Sequence, residues 1–76
     1  MRELILITGN DCPLCEEAKD LLKSTDLKDV VLVERDVYST RDIHSKYWDK
    51  IPVLLFEGNG LNWPFDQQKV KKLISI

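Results

Sequence analysis

The sequence predicts an α/β domain in which three helices flank a four-stranded mixed sheet, and three observations carry that prediction. The first half alternates two short aliphatic or β-branched runs with one amphipathic helical stretch, the order of a parallel strand pair joined by a right-handed crossover. The second half holds a strongly apolar run followed by Gly58-Asn59-Gly60, a hairpin signal. The chain then closes on a further amphipathic helix pattern. The order is βαβ, helix, ββα, with no long connection left over.

Leu4 to Thr8 is an aliphatic run closed by Gly9-Asn10-Asp11 and reads as a buried strand and its loop. From Pro13, apolar residues recur at Leu14, Ala18, Leu21 and Leu22, while Glu16, Glu17, Lys19, Asp20 and Lys23 take the other face. This predicts a helix ending near Ser24. Val30 to Val33, continuing to Val37 in partial alternation, is the second strand. Ser39-Thr40-Arg41-Asp42 has the Ser-x-x-Asp form of a helix start, so a short helix is expected from about Thr40 to Tyr47.

Ile51 to Glu57 is the most strand-like stretch, yet Pro52 stands near its start, where a central strand tolerates none. Leu61-Asn62-Trp63 is the antiparallel return strand, stopped by Pro64. Asp66 suits a helix N-cap, and Phe65 with Val70 has the spacing of a hydrophobic staple. Val70, Leu73 and Ile74 line the buried face of that last helix.

With 76 residues the chain has room for one core, so residues 1–76 are read as a single domain. A net charge of −2 gives no basic face for nucleic acid, and Lys69, Lys71 and Lys72 are read as the solvated side of a helix. The N-terminal apolar run, Leu4 to Ile7, is shorter than the roughly 7 to 15 residues of a signal peptide or the roughly 20 of a membrane span. A cytoplasmic, monomeric protein with no membrane partner is the expectation.

Chemistry concentrates at Cys12-Pro13-Leu14-Cys15, which holds the only two cysteines of the chain. Proline favours the first helical position, which makes Cys12 the N-cap and places Cys15 one turn inside. The backbone N–H groups of Leu14 and Cys15 are then expected at the Cys12 sulfur, where they favour a thiolate. Cys12 becomes the nucleophile and Cys15 the resolving thiol of a dithiol–disulfide couple that passes through a mixed disulfide. Asp11, Glu16, Glu17 and Asp20 oppose the helix end, so only a modest fall in the Cys12 pKa is expected. A structural pair, or half of a zinc site shared with a second chain, stays open on spacing alone. His44 has no partner at ligand spacing, so no metal site within the chain is expected.

The segment Leu14-Cys15-Glu16-Glu17-Ala18-Lys19, with Ile51-Pro52-Val53-Leu54 and Trp63-Pro64-Phe65-Asp66, resembles the small bacterial glutaredoxin-like proteins of the thioredoxin superfamily. The match covers nearly the whole chain and implies the minimal thioredoxin fold, βαβαββα. It also implies a thiol-disulfide oxidoreductase with no bound cofactor. An external thiol donor, either glutathione or a thioredoxin-type reductant, would reset it, and a disulfide-containing protein or a low-mass thiol would be the partner. In that superfamily a cis proline faces the two cysteines, and Pro52 matches it. Pro13, Leu14, Ile51 and Pro52 would border the substrate, the Ile51 backbone pairing with it. Asp66 would meet a glutathione amino group.

Two departures separate the chain from glutathione-using members: Thr8-Gly9-Asn10-Asp11 lacks their basic residue, and Trp63-Pro64-Phe65-Asp66 lacks their glycine-rich turn. Trp63, Phe65 and Trp48 serve either as an apolar lip to the groove or as core. Arg41 and Lys50 are read as solvated. Two other classes of function stay open, a non-catalytic binding module on the same fold and a dimer bridging an iron–sulfur cluster through Cys12.

Overall fold

The computed structural model describes residues 2–27 and 29–75; Met1, Lys28 and Ile76 of the expected domain lie outside the described residues. Seven elements follow in order: β1 (Arg2–Thr8), α1 (Pro13–Lys23), β2 (Val30–Asp36), α2 (Arg41–Tyr47), β3 (Val53–Phe56), β4 (Asn59–Asn62) and α3 (Gln67–Ile74). The strands form one mixed sheet in the order β2-β1-β3-β4. β1 pairs with β2 in parallel and with β3 antiparallel, and β4 returns antiparallel beside β3. The expected fold class is the observed one.

The central position of β1 explains its uninterrupted apolar run, because both faces of the strand are covered. Alternation sends Leu4 and Leu6 to one face, where they meet Leu54 and Phe56 of β3, Ala18 and Leu22 of α1, and Val70, Leu73 and Ile74 of α3. Ile7 points the other way and joins Val37 and Val53, over which Ile43 and Tyr47 of α2 pack half-buried. The first face carries most of the core. α2 has no buried residue of its own.

Element ends differ from expectation where a local hydrogen bond decides them. Thr40, not Ser39, caps α2, its hydroxyl accepting from the Ile43 N–H at 3.1 Å. β3 starts at Val53 and not Ile51, since Pro52 has no N–H to give the ladder. The hairpin turns at Glu57-Gly58, with φ of 48° and 85°, one residue before the glycine-rich triplet suggested. A two-residue turn of this kind needs both central residues left-handed, and Gly58 supplies the second at no steric cost. Asn59 and Gly60 therefore belong to β4, which ends at Asn62. At α3 the expected cap holds: Asp66 Oδ1 accepts from the Lys69 N–H at 2.8 Å, and both staple residues, Phe65 and Val70, are buried.

Candidate functional site

The two cysteines stand where β1 hands over to α1, at the carboxyl edge of the sheet. Gly9 follows β1 directly, and a Cβ there would fall 2.8 Å from Ile51 Cδ1, so the absence of a side chain lets Ile51 lie against the loop. Asp11 then takes a left-handed backbone, φ 52°, which aspartate tolerates better than most residues. That turn delivers Cys12 to the N-cap of α1 in an extended conformation, with Pro13 at the first helical position.

Cys12 and Cys15 are joined as a disulfide, with Cα atoms 5.2 Å apart. The Cys15 N–H donates to Cys12 Sγ at 3.1 Å. Of the two amides expected at that sulfur, Cys15 alone reaches it among the described residues; Leu14 does not. The sulfurs differ sharply in surroundings. Cys15 is 1% exposed and continues the buried stripe of Ala18 and Leu22, while Cys12 is half-buried at the surface. Beside Cys12, Asp11, Pro13 and Glu16 line a shallow open hollow. Leu14, between the cysteines, is 46% exposed.

The Ile51–Pro52 peptide bond is cis, as the resemblance implied. Among the described residues nothing hydrogen-bonds to the Ile51 backbone, whereas the Pro52 carbonyl accepts from the Trp63 N–H at 3.3 Å. Pro52 itself is fully buried, whereas Ile51 is half-buried. A second cis bond, Trp63–Pro64, had no cue in the sequence.

Asp66 is exposed, but its carboxylate is engaged in capping α3, and it is not part of the hollow beside Cys12. Trp63 meets Phe65 edge to face at 4.9 Å and packs on the core, which gives both aromatics a structural role. Trp48 is 59% exposed. His44 stacks on Tyr38 at 5.0 Å, and among the described residues no three His, Cys, Asp or Glu side chains converge to hold a metal.

The charge beside the cysteines is acidic but not uniformly free. Lys19 Nζ reaches Glu34 Oε1 at 3.2 Å and Glu16 Oε1 at 3.5 Å, tying α1 to β2. The Glu34 hydrogen bond, opposed by partial burial, holds the Lys19 pKa above the ordinary lysine value. Glu16 is thus partly balanced. Asp11 has no ion-pair partner among the described residues. Sequence reasoning passed over three residues around the site: Thr8, Gly9 and Glu34. The glycine directly after a buried strand was the one readable signal, since a missing side chain there marks a close approach.

Residues 3–75 match the model of the Glutaredoxin-like domain (DUF836) family. Among solved structures, the X-ray structure of protein XcR50 from X. campestris superposes with a TM-score of 0.80 at 26% identity, covering 95% of each chain. The solution structure of the same protein gives a TM-score of 0.78 at 26% identity, covering 99% of this chain and 94% of that one. No curated protein matches the chain.

Proposed function

The chain belongs to the glutaredoxin-like domain family over residues 3–75, and on that premise we propose that it is a thiol-disulfide oxidoreductase working through the Cys12–Cys15 couple. The observation that carries the reading is the asymmetry of the two sulfurs. Cys12 is accessible and accepts a backbone N–H at a helix start, while Cys15 is buried one turn behind it. The N–H and the positive helix end favour a thiolate at Cys12. In the reduced protein that thiolate attacks a substrate disulfide, and one substrate sulfur leaves as a thiolate that takes a proton from solvent. Cys15, deprotonated, then attacks Cys12 Sγ, which releases the second substrate sulfur and closes the disulfide. Two electrons have passed to the substrate. An external thiol donor returns them, and no bound cofactor is required.

The exposed Leu14 and Pro13 and the free backbone of Ile51 support a substrate groove on the Cys12 side. An extended substrate backbone would pair with Ile51 beside the reacting sulfur. Asp66 is a weaker contact than the family resemblance implied, because its carboxylate already accepts from Lys69. Asp11 and Glu16 in the hollow disfavour glutathione disulfide, whose own charge is negative, and favour a protein or low-mass disulfide of neutral or positive character. A monomer in the cytoplasm completes the proposal.

Trapping tests it. Cys15→Ser stops the reaction at the mixed disulfide, so partners should be retained on that variant in cell extract and released by dithiothreitol. A Cys12→Ser control that retains the same set would reduce the protein to a binding module. The charge argument is separately checked with Asp11→Asn, which should lower the Cys12 pKa by between about half a unit and two units. Thiolate absorbance followed against pH reads this directly, and an unchanged or raised value removes Asp11 from the account.

A further inference from the structure

Glu16 lies one turn after Cys12 on α1 and lines the same hollow, so its charge bears on the exposed sulfur. Helical side chains lean toward the N-terminus, which by itself would carry the Glu16 carboxylate back over the turn of Cys12. The ion pairs pull the other way. Glu16 Oε1 meets Lys19 Nζ at 3.5 Å, one turn further along the helix, and the same amine meets Glu34 Oε1 of β2 at 3.2 Å.

The three groups are not equally fixed. The Lys19 side chain is 22% exposed, against 71% for Glu16 and 49% for Glu34, so the amine is the settled member and Glu16 the movable one. Glu34 stands on a strand of the sheet, which anchors the amine outside its own helix. The Glu34 hydrogen bond also raises the Lys19 pKa, so the amine keeps its charge well above neutral pH. Its own charge acts on Cys12 only weakly, because two turns of helix separate them by about 10 Å of rise, comparable to the Debye length of about 10 Å at 0.1 M salt. Through Glu16 it acts from one turn away. Asp11, the other carboxylate of the hollow, has no ion-pair partner among the described residues.

We propose that Lys19, anchored on Glu34, is a positioning residue that draws the Glu16 carboxylate off Cys12 and so limits how strongly the hollow rejects negatively charged disulfides. The inference rests on the oxidoreductase reading and adds to it a residue that sets the charge specificity of the same site. Without Lys19, Glu16 returns toward the sulfur and meets whatever anion approaches it. Moving one carboxylate from roughly 9 Å to roughly 6 Å slows the approach of a unit negative charge about twofold at an effective dielectric of about 40.

The test alkylates Cys12 in the Cys15→Ser protein, where it is the sole thiol, with iodoacetate and with iodoacetamide in about 0.1 M salt. Both reagents consume the same thiolate, so the ratio of their rates cancels its pKa and reads the charge beside the sulfur. Lys19→Met should lower the iodoacetate-to-iodoacetamide ratio about two- to threefold, and Lys19→Arg should keep it. In a Glu16→Gln background the same Lys19→Met change should move the ratio by less than about 1.5-fold. An unchanged ratio in Lys19→Met, an arginine variant that falls as far as methionine, or an equal fall in the Glu16→Gln background overturns the proposal. If methionine prevents folding, Lys19→Gln carries the same expectation. The assay uses no disulfide substrate, so failure to trap partners defeats the oxidoreductase reading and leaves this result standing, while an unchanged ratio beside successful trapping removes Lys19 alone.

Discussion

The two faces of the sheet are built to different standards. On one, α1 and α3 drive Ala18, Leu22, Val70, Leu73 and Ile74 into the apolar residues of β1 and β3, and the cluster is closed by Phe56 and Phe65. On the other, α2 covers Ile7, Val37 and Val53 with side chains that are only half-buried. The cysteines use the difference. Cys15 extends the packed stripe of the first face, so its sulfur is fixed by dense surroundings, and Cys12 stands at its rim. Ile51 belongs to the thinner layer, packed half-buried against Ile7, Val37 and Val53.

Core truncation should break the comparison most visibly. Leu6→Ala or Phe56→Ala, both fully buried on the thick face, should cost about 3–5 kcal/mol, against about 1 kcal/mol for Ile43→Ala on the thin one. Urea denaturation of the oxidised protein measures both, and equal losses would mean that α2 contributes as much as the other two helices. The caps sharpen the contrast on a smaller scale. Asp66→Ala should cost about 1 kcal/mol of global stability, because α3 cannot loosen without disturbing the main core. Thr40→Ala should instead speed amide exchange within α2 while moving the global midpoint little. A Thr40 variant that unfolds the whole domain as readily as the Asp66 variant would contradict this.

The smallest effect lies in the link between α1 and β2. The Lys19 pKa is raised in the folded protein, so its pairing with Glu34 contributes fully below the ordinary lysine value and is lost as pH climbs through the raised one. Exposure limits the contribution to about 0.5 kcal/mol. Glu34→Gln should therefore narrow the loss of stability at alkaline pH by no more than that. Denaturation midpoints across the alkaline range decide it, and a larger change would show that this surface pair is doing more than solvent normally allows.

Periodicity made the thick face legible: the inward residues of α1 and α3 are those that the helical spacing singles out, and β1 reads as doubly covered from its unbroken apolar run. The thin face was less legible, since seven residues of α2 with none fully buried leave little pattern to read. The cysteine pair and its place at a helix start were visible in four consecutive letters. Of the residues beside it, Ile51 and Pro52 were reached only through the family resemblance and Gly9 was read only as part of a loop, because the two stretches are distant in the chain and the β1–β3 pairing brings them together. The hairpin slipped by one residue for a similar reason. Three consecutive turn-forming residues fix that a turn exists, while the pairing of Phe56 with Asn59 fixes where.

Asp11 illustrates two demands that a single position can satisfy separately. The left-handed backbone there excludes most side chains and is met well by glycine, asparagine or aspartate. Geometry therefore explains a short, turn-tolerant residue before Cys12 and is indifferent to its charge. An uncharged asparagine would serve the chain path equally well, and it would burden the neighbouring sulfur less. The negative charge is thus surplus to what the fold requires, and under the proposed function its consequence would fall on whatever approaches Cys12, disfavouring anions at a position the backbone alone would have left neutral.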